Sequence, residues 1–169
     1  MPKLLPLILV GGLPKSGKTS FINRITPQIT GVKVFNEENY VNQVNPRGHD
    51  YALDYSENAE NLVRQAMVKD VALAAYNRKP VIAESSFFVD AAIRAEYREK
   101  TLTPDHMPIY VSVFIPEKVR AKNKVLDKYT EADNADLMQR NKRPRKGEGF
   151  VVMSVREVIE YLKEYNEPS

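Results

Sequence analysis

Apolar residues in this chain fall into short blocks of two spacings that alternate from one end to the other. Four blocks read as strands: Leu4 to Val10, Val32 to Phe35, Val81-Ile82-Ala83 behind Pro80, and Ile109 to Ile115 ending at Pro116. Between them the spacing is helical. Ser20 to Ile25 opens a helix that must end by Pro27, and a long helix over about 56–78 carries Leu62, Val63, Ala66, Met67, Val71, Ala74 and Ala75 on one face, with Asp70 at its edge. A third runs from about Asp90, its N-cap, to Lys100. A basic helix is expected over about 117–128, with a further pattern at Leu137 to Arg140. Ser154 with Glu157 three residues on is a capping box for a last helix to about Tyr165.

The remainder reads as loop: polar residues 41–55 around Asn45-Pro46-Arg47-Gly48, a candidate substrate loop, and Thr103 to Pro108. Phe150-Val151-Val152-Met153 is the one candidate for a fifth strand. Strand, loop and helix in repetition imply an α/β fold, a three-layer sandwich around a mostly parallel sheet of four or five strands.

Composition narrows the class. At 169 residues the chain is expected to form a single domain, 1–169, and its 43% hydrophobic and 28% charged content is ordinary for a globular protein. No apolar run approaches membrane-spanning length, the first one leads into a glycine-rich loop and not a cleavage site, and cysteine is absent. A cytoplasmic protein is the expectation. The net charge is only +3, yet residues 118–146 hold ten Lys or Arg against four Asp or Glu. Basic charge is thus gathered in the C-terminal third, and 130–149 reads as a basic lid.

The first strand leads directly into Gly12-Leu13-Pro14-Lys15-Ser16-Gly17-Lys18-Thr19, which fits the phosphate-binding pattern G-x-x-x-x-G-K-[ST]. A strand turning tightly into a helix presents unpaired backbone N–H groups to phosphates, so Gly12 through Ser20 are the expected nucleotide-binding residues. Lys18 would reach the β- and γ-phosphates, and the Thr19 hydroxyl would hold Mg²⁺. Lys15 adds a second ammonium, for the phosphates or simply for solvent.

Phosphoryl transfer also needs a group to take the acceptor's proton, a metal environment, and positive charge for the transition state. Glu38 or Glu37, past the second strand, are the candidate bases. Glu84, ending the third strand, is the candidate beside the metal, since a buried carboxylate without a partner is costly. Arg140, Arg143 and Arg145, next to Gly147 and Gly149, are the candidates for transition-state charge. His49 and His106 read as surface residues.

The order of these motifs resembles the small P-loop kinases related to bacteriophage polynucleotide kinase. In that group an Asp-Asp-Tyr-like box supplies the base, and Glu38-Asn39-Tyr40 stands in its place, so the resemblance gives the role to Glu38. The group's Asp-Ala/Thr-Thr/Asn strand end corresponds to Glu84-Ser85-Ser86, and where its lid carries Arg-Asn-x-x-Arg this chain has Arg140-Asn141-Lys142-Arg143, with Arg145 beyond. This chain departs from the group in having Glu for Asp at both acidic positions, and Val41 where the phage enzyme has a basic residue.

The resemblance implies transfer of the ATP γ-phosphate, with Mg²⁺, to a hydroxyl on a nucleic acid or nucleotide; one such acceptor is a hydroxymethyl group on a DNA base. The basic C-terminal third favours a polyanionic acceptor. The alternatives are a kinase of small molecules (nucleoside, sugar or antibiotic) and a nucleotide-dependent binding module or NTPase switch.

Overall fold

Residues 3–13, 16–44, 57–113, 142–145 and 147–168 are described in the computed structural model. They form five strands, β1 (Leu5–Gly11), β2 (Lys33–Asn36), β3 (Val81–Glu84), β4 (His106–Ser112) and β5 (Val151–Met153), paired in parallel in the order β2-β3-β1-β4-β5. Five helices accompany them: α1 (Lys18–Ile25), α2 (Glu37–Val44), α3 (Glu57–Tyr76), α4 (Ala91–Thr101) and α5 (Val155–Asn166).

β1 is central because both its faces are apolar, and strand alternation divides them cleanly. Leu7 and Leu9 point into a core with Val81 and Ala83 of β3, Tyr110 of β4, Val63, Met67 and Val71 of α3, and Ile93 and Tyr97 of α4. Ile8 and Val10 point the other way, to Ile82, Ile109, Val111, Phe21, Ile22 and Ile25 of α1, and Val158 and Leu162 of α5. The two helical layers follow from right-handed crossovers. The step from β1 through α1 to β2 runs one way across the sheet, whereas β2 to β3 and β3 to β4 run the other way. The connections leaving β1 and β3 therefore diverge at their C-terminal ends, where open α/β sheets place ligands.

The caps expected from sequence are formed. Asp90 Oδ1 accepts from Ala92 N at 2.9 Å, and Ser154 and Glu157 bond reciprocally at 3.1 Å. Three expectations need correction. Residues 41–44, expected in the polar substrate loop, belong to α2, with Val41 buried. The fourth strand begins at His106 and not at Ile109; β5 pairs with β4 only from Ile109 onward, so Pro108 sits where that side of the ladder has no neighbour. His106 is a buried strut and not a surface residue. Its Nε2 bonds the Lys79 carbonyl at 2.7 Å and its Nδ1 the Thr103 hydroxyl at 2.6 Å, joining two crossovers beneath the sheet.

The helices expected over 117–128 and 137–140, the turn 45–48, His49 and the end of the fourth strand at Ile115 lie outside the described residues. Among the described residues no helix is long and apolar enough to cross a membrane.

Candidate active site

β1 delivers the chain to Gly12 at the sheet's C-terminal edge. Gly12 takes φ +149°, and a Cβ there would lie 2.4 Å from the Val113 carbonyl oxygen and 2.7 Å from Ser16 Oγ. Only glycine allows this approach. Val113 N donates to Gly11 O at 2.8 Å, so β4 closes against the base of the loop. Ser16 N then donates to Leu13 O at 3.2 Å, and Gly17, at φ +94°, is the N-cap of α1.

Lys18, the first residue of α1, is buried, and its Nζ donates to Gly12 O at 2.9 Å and Leu13 O at 3.0 Å. The lysine braces the loop from inside while holding its charge at the helix N-terminus. Thr19 and Ser20 follow on the exposed side of the first turn. Ser16 Oγ is buried and has no hydrogen-bond partner among the described residues. A buried hydroxyl of this kind carries a desolvation cost that an anion's oxygen would relieve. Together with the N–H groups opening α1, it fits a phosphate. Pro14 and Lys15 lie outside the described residues.

The carboxylates converge from β2 and β3. Glu84 ends β3 in register with Val10 on one side and Asn36 on the other. It is buried, and burial pushes its carboxyl above the ordinary carboxylate value, with the Lys18 charge pulling the other way. Asn36 Nδ2 donates to Glu84 Oε2 at 2.9 Å, while Asn36 Oδ1 accepts from Glu38 N at 2.8 Å and so caps α2.

Of the two candidate bases, Glu37 is the buried one, 5% exposed, and Ser85 Oγ donates to its Oε2 at 2.7 Å. The same Ser85 Oγ accepts from Phe87 N, and Ser85 N donates to Val10 O at 3.2 Å. Glu38 is half-buried. Tyr40 is buried, and its hydroxyl donates to Asp70 Oδ2 at 2.6 Å.

Thr19 and Glu84 are hard oxygen donors suited to Mg²⁺. Among the described residues no group of three or more metal-ligating side chains occurs. The protein would supply this pair, with phosphate and water oxygens completing the shell, as Mg²⁺ commonly prefers.

The basic segment is anchored beside this site. Lys142 N donates to Val89 O at 2.8 Å, in the 3₁₀ turn Ser86–Val89 that follows β3. Arg143 and Arg145 are exposed, and among the described residues no hydrogen bond joins either side chain to the loop; Arg140 lies outside the described residues. Gly147 and Gly149 both take positive φ on the way into β5.

Between these glycines, Glu148 accepts from Arg94 Nε at 3.1 Å and Nη2 at 3.0 Å. Arg94 is fully buried in α4, donates to Phe88 O at 2.8 Å, and lies 5.0 Å from the Tyr110 ring centroid. Sequence reasoning missed Asn36 and Arg94. The signal for Arg94 was its spacing, three residues before Tyr97 and seven before Thr101 on the buried stripe of α4.

No protein-family model matches this chain, and no curated protein sequence does. Its fold does match solved structures. A sugar kinase from Janibacter sp. HTCC2649 superposes with a TM-score of 0.69 at 16% identity, covering 97% of this chain and 92% of that one. A gluconokinase from Sinorhizobium meliloti 1021 gives 0.69 at 18% identity over 97% and 95%. Kti12 from Chaetomium thermophilum, in complex with ADP-AlF3, gives 0.68 at 15% identity over 96% and 100%. Identities this low speak for architecture alone, and they do not single out the phage polynucleotide kinases. The chain has the fold of the P-loop kinases.

Proposed function

We propose that this protein is an ATP- and Mg²⁺-dependent phosphotransferase with an alcohol group as acceptor. The observation that carries the reading is Lys18, buried on its own loop's carbonyls at the end of β1 and electrostatically coupled to the buried Glu84. The N–H groups of the loop and Lys18 would bind the triphosphate. Thr19 and Glu84 would hold Mg²⁺, which supplies charge neutralisation on the transferring phosphate. Glu38 or Glu37 would take the acceptor's proton, and Arg140, Arg143 and Arg145 would counter the transition-state charge from the basic segment.

Two acceptor readings have support. A nucleic acid or nucleotide is favoured by the exposed Lys142, Arg143 and Arg145 and by the motif order shared with polynucleotide kinases. A small-molecule hydroxyl is supported by the sugar kinase and the gluconokinase among the solved structures of the same fold.

The test is incubation with γ-labelled ATP, Mg²⁺ and alcohol acceptors of several classes. Label is expected on an organic product, and Lys18→Met is expected to reduce transfer by a factor on the order of 10² or more. Label appearing only as free phosphate with every acceptor would replace the kinase reading with that of an NTPase switch.

A further inference from the structure

Arg94 has no exposed surface, which is rare for a guanidinium, and its contacts lie on two sides. On one side it is built into the floor of the phosphate loop. It donates to Phe88 O at 2.8 Å and lies 5.0 Å from the Tyr110 ring centroid. Phe88 and Tyr110 in turn press on Gly11, the residue just before the loop. A Cβ there would come within 3.0 Å of Phe88 Cβ and 2.5 Å of the Tyr110 hydroxyl oxygen. Burial pushes the Tyr110 hydroxyl above its ordinary value, and the Arg94 charge pulls the other way.

On the other side Arg94 holds the basic segment. Its Nε and Nη2 grip the two Glu148 carboxylate oxygens at 3.1 and 3.0 Å. Glu148 N donates to Arg145 O at 3.1 Å, so the backbone of one candidate arginine is bonded directly to the gripped glutamate. Burial works against the Glu148 charge, yet Arg94 and, after it, Arg145 hold its carboxyl below the ordinary value. Two further bonds fasten the same stretch. Lys142 N donates to Val89 O at 2.8 Å ahead of it, and Arg98 Nε to Gly149 O at 3.3 Å behind it.

Stability alone is a weak account of the Arg94–Glu148 pair. Apolar side chains of similar volume often serve a buried site as well as an ion pair or better, because both charges lose their water. What the pair supplies and an apolar contact does not is direction. A planar guanidinium gripping a carboxylate through two parallel bonds fixes the orientation of both.

On the reading that this protein moves the γ-phosphate of ATP, we infer that Arg94 is a positioning residue. Acting through Glu148, it holds the stretch from Arg143 to Arg145 in register with the floor of the phosphate loop, so that these guanidiniums meet the transferring phosphate from a fixed strap. Arg143 and Arg145 are exposed, and on a slack segment their long side chains would lose much conformational freedom on reaching a phosphate. Holding their backbone in place removes part of that loss before the reaction begins.

The experiment is a double-mutant cycle on the full chain, read as the rate at which γ-label leaves ATP for an alcohol acceptor or for water. Arg94→Met, which fills much of the stem's volume, is expected to lower kcat about tenfold with the KM for ATP within about twofold of wild type. In an R143A/R145A background, itself slower than wild type, the same substitution is expected to change kcat by less than about twofold, because the groups it positions are gone. Melting temperature provides the contrast, since Arg94→Met should lower it by nearly the same amount in both backgrounds.

A merely structural Arg94 would slow the reaction by the same factor in both backgrounds, and that result overturns the inference. So does Arg94→Met with wild-type kcat, or R143A/R145A as fast as wild type. Glu148→Gln, which keeps the shape and one acceptor oxygen, carries the cycle if Arg94→Met does not fold, and it must give the same pattern. Label found only as free phosphate overturns the kinase reading, and the cycle is then decided on hydrolysis. ATP that stays intact throughout overturns both.

Discussion

The Asn36 side chain serves two neighbours at once, donating to Glu84 Oε2 at 2.9 Å and accepting from the backbone of Glu38 at 2.8 Å. One amide thereby joins the buried Glu84 carboxylate to the helix that carries both candidate bases. Asn36→Ala is expected to cost about 1 kcal/mol through the lost cap, with more from the stranded carboxylate. Urea unfolding measures the first. The second should appear as a weaker Mg²⁺ dependence of any phosphotransfer than in Asn36→Asp, which keeps the capping oxygen.

Glu84 should leave its mark on stability against pH. Burial raises its carboxyl above the ordinary 4.5. The folded protein then holds that proton more tightly than the unfolded chain does. This group therefore favours folding below pH 4.5, and its contribution is lost as pH rises through the folded value. Glu84→Gln should flatten that part of the profile and leave the protein relatively more stable at neutral pH, at the expense of Mg²⁺ binding. Parallel urea titrations between pH 4 and 8 on the two proteins provide the measurement.

The Arg94–Glu148 pair predicts an asymmetry. Arg94 is wholly buried, whereas the Glu148 side chain is 18% exposed. Glu148→Ala strands a guanidinium away from water and is expected to cost about 3 kcal/mol. Arg94→Met should cost less, because methionine fills much of the stem's volume and the glutamate can turn to solvent. Unfolding free energies of both variants and the double mutant check the ranking.

Ser154→Ala removes one half of the capping box on α5 and is expected to lower stability by about 1 kcal/mol. Phosphotransfer should be unaffected, since α5 packs on the α1 face beneath the sheet. A thermal melt together with an activity assay tests both parts.

Elements with a strong local signal were readable from sequence. The loop from Gly12 to Thr19, the Asp90 cap and the Ser154 box each rest on residues close in the chain, whose chemistry acts over three or four positions. β4 was misjudged at its start because Pro108 and His106 argue against a strand locally, and only the late arrival of β5 makes that start possible. α2 was obscure for a related reason. Among its described side chains only Tyr40 and Val41 are buried and apolar, so its stripe is thin, although Asn36 followed by two glutamates was a legible N-terminus.

Which glutamate faces inward could not be read from sequence at all. A helix turns by about 100° per residue, so the answer depends on where α2 starts, and Asn36 sets that start. The strand order was equally hidden, because it is written in crossovers tens of residues apart.

Ser16 has one more consequence. Its hydroxyl is buried with no hydrogen-bond partner among the described residues, beside the N–H groups that open α1, so an anion there would satisfy polar groups that the loop leaves unmet. Amide hydrogen exchange across Gly12 to Lys18 should accordingly be fast for this edge of the sheet and slow down sharply with nucleotide, while β1 beneath it scarcely changes. Occupancy of the site would then be visible as local rigidity, whatever the acceptor proves to be.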